Sequence, residues 1–400
     1  MLSEKKRRLV FSVNQLKLLN LFRMIYNMIS ILSTSHFSLY VPSLAILFTA
    51  FLLSILLVPM IRKIAQHYGI VAIPSIRKSH ADNVPVVGGV AISLVLFFSF
   101  LLVFKLYEIP LSQLDAIDLF YLSLGSFTLL TIGFIDDLKG LKPIVKLFFQ
   151  ILVAYFVVCE SSSLLITSMD GLFGIFELDP LFACFLSIFV FVVFVNMLNL
   201  IDGIDGLASG ISLVSFIFFA HISFLTDNYL NLFLSIACIG AVLPFIYYNV
   251  FSTRKIFLGD NGSLFLGVIL VYLSLHFLSH DSTDLEIIGG NRLVVLMSLF
   301  SYPLVDTLRV FLVRILRNKS PFSADKNHIH HHLLRLGLSH RKATLVVILY
   351  TIFITIFSLL FIDFGINTAF LIMLVIASFV ICLPSFLIKN DDGSIFLKKA

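Results

Sequence analysis

LFACFLSIFVFVVFVNMLNLIDGIDG, residues 181–206, decides the fold. From Leu181 to Leu198 the stretch holds no charged residue, and as a helix that run is long enough to cross a hydrocarbon core of about 30 Å. It closes on Asn196, Asn199, Asp202 and Asp205, with Gly203 and Gly206 among them. An apolar helix that stops at a cluster of carboxylates and amides reads as a membrane span that carries polar groups to one surface.

The same pattern recurs along the chain. Of 400 residues, 59% are hydrophobic and only 13% charged, and the mean hydropathy is +1.04. A soluble domain is about one quarter charged, so a water-exposed globule is excluded. Eleven spans are expected, at roughly 41–61, 86–106, 118–135, 144–160, 181–198, 207–225, 230–249, 262–279, 293–313, 343–362 and 368–388. The fold class is therefore all-α, a polytopic transmembrane helical bundle. One catalytic domain over 41–388 is expected between an N-terminal tail, 1–40, and a C-terminal tail, 389–400. With 43 Phe and no Trp, an interfacial aromatic belt falls to Tyr. Cys159, Cys184, Cys238 and Cys382 lie in apolar runs without CxxC spacing, and read as small buried hydrophobes.

The net charge of +5 speaks of topology, not of a nucleic-acid partner. If the loop after the first span faces the cytoplasm, twenty of the 28 Lys and Arg fall on that side. Only Lys105 and Arg292 fall opposite, and the remaining six lie in the tail. That tail, with Lys5, Lys6, Arg7 and Arg8, should also prefer the cytoplasm, yet an odd span count puts it outside. An interfacial helix or a start at Met24 or Met28 accounts for it better than a twelfth span.

Five polar clusters fall in connections on the positive side. Asp136-Asp137-Leu138-Lys139-Gly140 places two acids side by side, which ionise together only beside a cation or a shared proton; a solvated turn is the plain alternative. Asn196, Asn199 and Asp202 recur every third residue and share a helix face. With no basic residue between Val195 and Gly210, this cluster suits an oxygen-ligated cation such as Mg²⁺. Phe257-Leu258-Gly259-Asp260-Asn261-Gly262-Ser263 opens a span, and reads either as an anion site at a helix N-terminus or as a simple cap. Asp325-Lys326-Asn327-His328-Ile329-His330-His331-His332 lies among Arg and Lys. It lacks the His-Glu-x-x-His pattern of a catalytic zinc helix, so phosphate is the better partner. The fifth, with Lys78, His80, Gly88 and Gly89, is the weakest of the set. Carboxylates for Mg²⁺ and bases for phosphate oxygens together suit phosphoryl transfer. There is no Walker A and no GxGxxG after a strand. A transporter would carry its acids near the bilayer midplane, whereas these lie at span ends; Asp306 comes nearest to that midplane pattern.

The order of these motifs resembles that of the polyprenyl-phosphate N-acetylhexosamine-1-phosphate transferase family, glycosyltransferase family 4, over roughly residues 41–345. The loop from Pro321 to His331 is similar to the branch that uses UDP-N-acetylglucosamine. Leu333-Leu334 after the histidines disfavours the phospho-N-acetylmuramoyl-pentapeptide branch, which is the alternative within the family. The resemblance implies a bacterial inner-membrane enzyme that transfers a sugar-1-phosphate from a UDP-sugar to undecaprenyl phosphate and releases UMP. This would be the first membrane step toward a cell-surface polysaccharide such as O-antigen. It implies Asn199 and Asp260 as ligands of Mg²⁺, with Mn²⁺ the substitute ion. It implies Asp136 or Asp137 at the lipid phosphate, and Asp202 and Asp205 beside the nucleotide. His330, His331 and His332 would hold the diphosphate, and Lys78 and His80 the lipid phosphate. Asn196, Asn249, Phe257 and His328 complete the expected substrate contacts, Phe257 by stacking on uracil. A homodimer is left open.

Overall fold

The computed structural model describes residues 37–71, 84–107, 112–161, 164–279, 291–319, 327–389 and 395–397. The expectations for the tail and for Lys78 and His80 fall outside the described residues. The helices are α1 (Phe37–His67), α2 (Gly88–Tyr107), α3 (Gln113–Lys139), α4 (Pro143–Cys159), α5 (Pro180–Ile201), α6 (Leu207–Leu225), α7 (Tyr229–Ile246), α8 (Gly259–Ser279), α9 (Arg292–Leu299), α10 (Ser301–Leu316), α11 (Ile329–Arg335), α12 (His340–Ser358) and α13 (Ile366–Cys382). Two short antiparallel pairs complete the described chain, β1 (Ser168–Leu172) with β2 (Ile175–Glu177), and β3 (Leu387–Lys389) with β4 (Ile395–Leu397).

Among the described residues, nine helices are long and apolar enough to span a membrane, and the bent pair α9–α10 makes a tenth. Apolar α4, of 17 residues, is shorter. With these two, each of the eleven expected runs has its helix. A bundle is the form that fits such runs, because a helix satisfies its own backbone polar groups inside lipid. Local signals set the ends. Ser112 and Asp115 close a capping box on α3. Asp179 caps α5, with Pro180 in the first turn.

One expectation needs correction. The ninth span is not one helix, since α9 and α10 meet at Phe300 with a bend of 72°. Pro303 supplies the reason: it has no N–H to give to the carbonyl of Leu299, so the ladder stops and a new helix begins. The loop after α4 also folds into the β1–β2 hairpin. Its turn puts Asp170, Gly171, Phe173 and Gly174 at positive φ, and its tip is held by Asn367, whose Oδ1 accepts from Phe173 N at 2.7 Å.

α8 runs through the middle of the bundle and is buried along nearly its whole length. Its neighbours approach through glycines. A Cβ on Gly133 of α3 would lie 2.5 Å from the Cα of Asn261, and one on Gly89 of α2 would lie 2.4 Å from the Cα of Gly262. These contacts bring the end of α3, the start of α2 and the start of α8 together at one end of the bundle. The ends of α5, α7 and α10 and the starts of α4, α6 and α12 meet there too.

Candidate active site

Asp136 and Asp137 end α3, and adjacent helical residues point about 100° apart. Their tasks differ accordingly. Asp137 turns inward and accepts from the backbone N–H of Asp260 at 3.1 Å, from that of Asn261 at 3.0 Å, and from Asn261 Nδ2 at 2.6 Å. A carboxylate at the start of α8 satisfies its first amides and faces the positive end of the helix dipole. Asn261 is fully buried and ties three helices together: its Nδ2 also donates to Val86 O at 2.7 Å, and its Oδ1 accepts from Val90 N at 3.1 Å.

Asp136 faces a different partner. Lys146 Nζ lies 2.7 Å from its Oδ2 and 3.0 Å from Oδ2 of Asp260. Lys146 thus brings a base from the next helix onto the acid cluster. Lys146 stands one turn into α4, and the short loop 140–142 folds it back onto the two carboxylates. Like charges this close need such a counter-ion. Beside them, Asn199 Nδ2 donates to Ser263 Oγ at 2.9 Å, and Ser263 Oγ donates to Gly259 O at 3.2 Å. Asn199 and Asp260 thus sit on neighbouring helix ends. Asn196, one turn earlier on α5, is engaged with Gln150: its Nδ2 donates to Gln150 Oε1 at 2.6 Å.

The turn after α5 is built differently from its neighbour. Asp202 caps α5 through its backbone N–H, bonded to Asn199 O, and its residue is partly exposed. Asp205 is buried, pairs with Lys255 and lies 3.8 Å from His340 Nδ1. Burial pushes its carboxyl up, but the hydrogen bonds and charge of His340 and Lys255 outweigh burial and hold it below the usual range. Gly206 follows at φ 79, a left-handed position that glycine takes without strain. Asn249 lies in the π-helical turn Tyr247–Phe251 that ends α7. Its Oδ1 accepts from Gly206 N at 2.6 Å, and its Nδ2 donates to Ile256 O at 2.8 Å. It is buried, so it clamps two loops of the site together. Phe257 is anchored through its backbone: its N–H donates to Pro85 O at 2.8 Å, and its carbonyl accepts from Gly88 N at 3.0 Å.

The histidines meet the acid turn directly. His330 is buried, with Nδ1 3.1 Å from Tyr302 Oη. Its Nε2 is buried without a hydrogen-bond partner among the described residues and points at Gly203, where a Cβ would lie 2.4 Å away. The ring of His331 lies 4.3 Å from that of His330. His332 is partly exposed, and burial lowers it from its ordinary range. His328 is buried, with Nδ1 2.9 Å from Asp306 Oδ2. In the sequence Lys146 and Lys255 read only as topogenic charge, Asn261 only as part of its motif and Asp306 only as the acid nearest midplane depth; Tyr302 has no role there.

Burial drops His330 to about 3. The folded imidazole stays neutral where the unfolded one protonates, below its ordinary 6.5. His330 therefore contributes stability that is complete above 6.5 and falls away as the pH drops toward 3. In thermal unfolding from pH 7.5 to pH 5, the wild type should lose midpoint faster than His330→Gln; equal slopes would contradict this.

Among the described residues, no three His, Cys, Asp or Glu side chains converge as a ready-made metal cage. Mg²⁺ does not require one, since it is commonly held by one or two carboxylates plus substrate phosphates. Asp136 and Asp260 already converge on one positive group, the Lys146 ammonium. Hard oxygen donors around a favoured site for positive charge fit such an ion.

The family model described as Glycosyl transferase family 4 matches residues 119–278, which contain both acid turns and Asp260. A protein of Bacillus subtilis (strain 168), named "Probable undecaprenyl-phosphate N-acetylglucosaminyl 1-phosphate transferase", is 33% identical over 308 residues, covering 76% of this chain and 81% of the relative. The chain belongs to glycosyl transferase family 4. An undecaprenyl-phosphate alpha-N-acetylglucosaminyl 1-phosphate transferase of Pasteurella multocida (strain Pm70) is also 33% identical, over 75% of this chain and 81% of its own length. The protein of that name from Escherichia coli (strain K12) is 29% identical, over 76% and 79%. In this family 4 chain the carboxylate, asparagine and histidine motifs thus lie at one end of a single bundle.

Proposed function

We propose that the chain transfers N-acetylglucosamine-1-phosphate from UDP-N-acetylglucosamine to undecaprenyl phosphate and releases UMP, at the cytoplasmic face of a bacterial inner membrane. One observation carries the reading: the Asp136–Lys146–Asp260 group and the His330–Gly203 contact lie at the same end of the bundle. The names of the relatives support the lipid and the sugar. The excess of Lys and Arg in the loops at that end supports the cytoplasmic side.

An oxygen of the lipid phosphate attacks the sugar-bearing phosphorus. The bond from that phosphorus to the bridging oxygen breaks, and UMP leaves. No base is required, because a phosphate monoester is largely ionised at neutral pH. Lys146 offsets charge where the two phosphates meet, and Asp136 and Asp260 hold that ammonium in place. His330 presents Nε2, and His331 and His332 add donors, to the diphosphate. Asp137, Asn249 and Asp205 keep the loops in register; Asp202, partly exposed on its turn, faces the nucleotide. Mg²⁺ held by Asp260, Asn199 and Asp136 would neutralise the diphosphate and the leaving UMP.

Purified protein supplied with undecaprenyl phosphate and a panel of UDP-sugars should release UMP fastest with UDP-N-acetylglucosamine. In the same assay His331→Ala should raise the KM for that donor by about tenfold or more, the cost of one hydrogen bond to a charged group. Unchanged affinity and turnover would remove His331 from the donor subsite.

A further inference from the structure

Asp306 lies on α10 one turn from Pro303 and is fully buried. An isolated buried carboxylate is costly and persists when its hydrogen bonds are filled. Oδ2 receives Nδ1 of His328 at 2.9 Å, while Oδ1 receives the backbone N–H of Ile329 at 3.0 Å and Nη2 of Arg309 at 2.9 Å. An ionised carboxylate only accepts, so the His328 proton facing it must sit on Nδ1, which fixes that ring's tautomer and orientation. Ile329 is the first residue of α11, so the same carboxylate also ties down the start of the helix that carries His330 and His331. Tyr302, one turn before Asp306 on the same face of α10, meets Nδ1 of His330. The rings of His328 and His330 stack with centroids 5.5 Å apart and planes 10° apart. The break at Phe300 aims this Tyr302–Asp306 face at the histidine helix.

We propose that Asp306, acting through His328 and the first amide of α11, is a positioning residue for the subsite that binds the donor's diphosphate. This rests on the reading of the histidine loop given above. Asp306 touches no substrate itself. It aims His330 at the Gly203 turn, where the acid and histidine halves of the site meet.

Steady-state kinetics of the full-length protein test this, with each substrate varied separately. Asp306→Asn turns an amide donor toward one of three donors, so it should raise the KM for UDP-N-acetylglucosamine by about tenfold or more. The KM for undecaprenyl phosphate should stay within about twofold. A merely structural role would lower the unfolding midpoint and leave both KM values alone, or move them together; either result overturns the proposal. Should Asp306→Asn fail to fold, substitutions of His328 decide. Asn can place its amide N–H where Nδ1 stands, and Ala cannot. His328→Ala should raise the donor KM by about tenfold, and His328→Asn should raise it severalfold less, because it restores the N–H to Asp306; equal values overturn the proposal. If His331→Ala impairs donor binding and Asp306→Asn does not, this inference alone fails. If neither does, the diphosphate reading fails and takes the inference with it.

Discussion

Gly133→Ala is expected to lower UMP release by about a hundredfold while the protein still inserts and folds. The new methyl group would lie 2.5 Å from the Cα and 2.6 Å from the N of Asn261, and 2.6 Å from the carbonyl carbon of Asp260. These are backbone atoms, so no rotamer change relieves the clash and α3 and α8 must move apart. Overpacking of this kind costs roughly 1–3 kcal/mol in stability. The larger effect falls on activity, because Asp136 and Asp137 ride on one helix and Asp260 on the other. A misplacement of about 1 Å in a catalytic constellation costs about a hundredfold. Gly365→Ala is the control: it meets nothing within 4 Å, and its backbone φ of −56 suits any residue. Near-normal turnover in Gly133→Ala would mean that the close approach of α3 and α8 does not set the site.

Asp260→Asn is expected to remove divalent-cation-dependent turnover by roughly a hundredfold or more, the size of losing several kcal/mol of charge stabilisation. The substitution is nearly isosteric. It spares the backbone bond from residue 260 to Asp137, so the unfolding midpoint should stay close to wild type. Lys146 would then keep only Asp136 as a counter-charge. Titration with Mg²⁺ reads the change directly. The wild type should saturate, and the variant should respond weakly across the same range. A variant that saturates normally removes Asp260 from the cation site and leaves its carboxylate as a partner of Lys146 alone.

The span pattern was legible because lipid leaves the backbone few choices, and each hydrophobic run therefore becomes a helix. The convergence of the acid and histidine loops followed from parity: loops at odd positions share a face. Other features depend on how helices dock, and sequence spacing does not carry that. Asp136 and Asp137 look equivalent in the sequence, yet the turn into α4 gives one to Lys146 and the docking of α8 gives the other to backbone amides. Lys255 reads as topogenic charge until the turn after α5 brings Asp205 against it. Asn249 reads as a nucleotide contact until the π-helical turn at the end of α7 aims it at Gly206 and Ile256. Pro303 carried a legible signal for the break at Phe300, and the length of the apolar run masked it.

The proposed reaction moves a sugar with its phosphate, not the sugar alone. Chromatography of the nucleotide product tests it most directly, using the purified full-length protein with undecaprenyl phosphate, UDP-N-acetylglucosamine and Mg²⁺. UMP should form in equal amount to a lipid diphosphate sugar, with none formed when the lipid phosphate is omitted. UDP as the product, or no nucleotide release while the protein is folded, would contradict it.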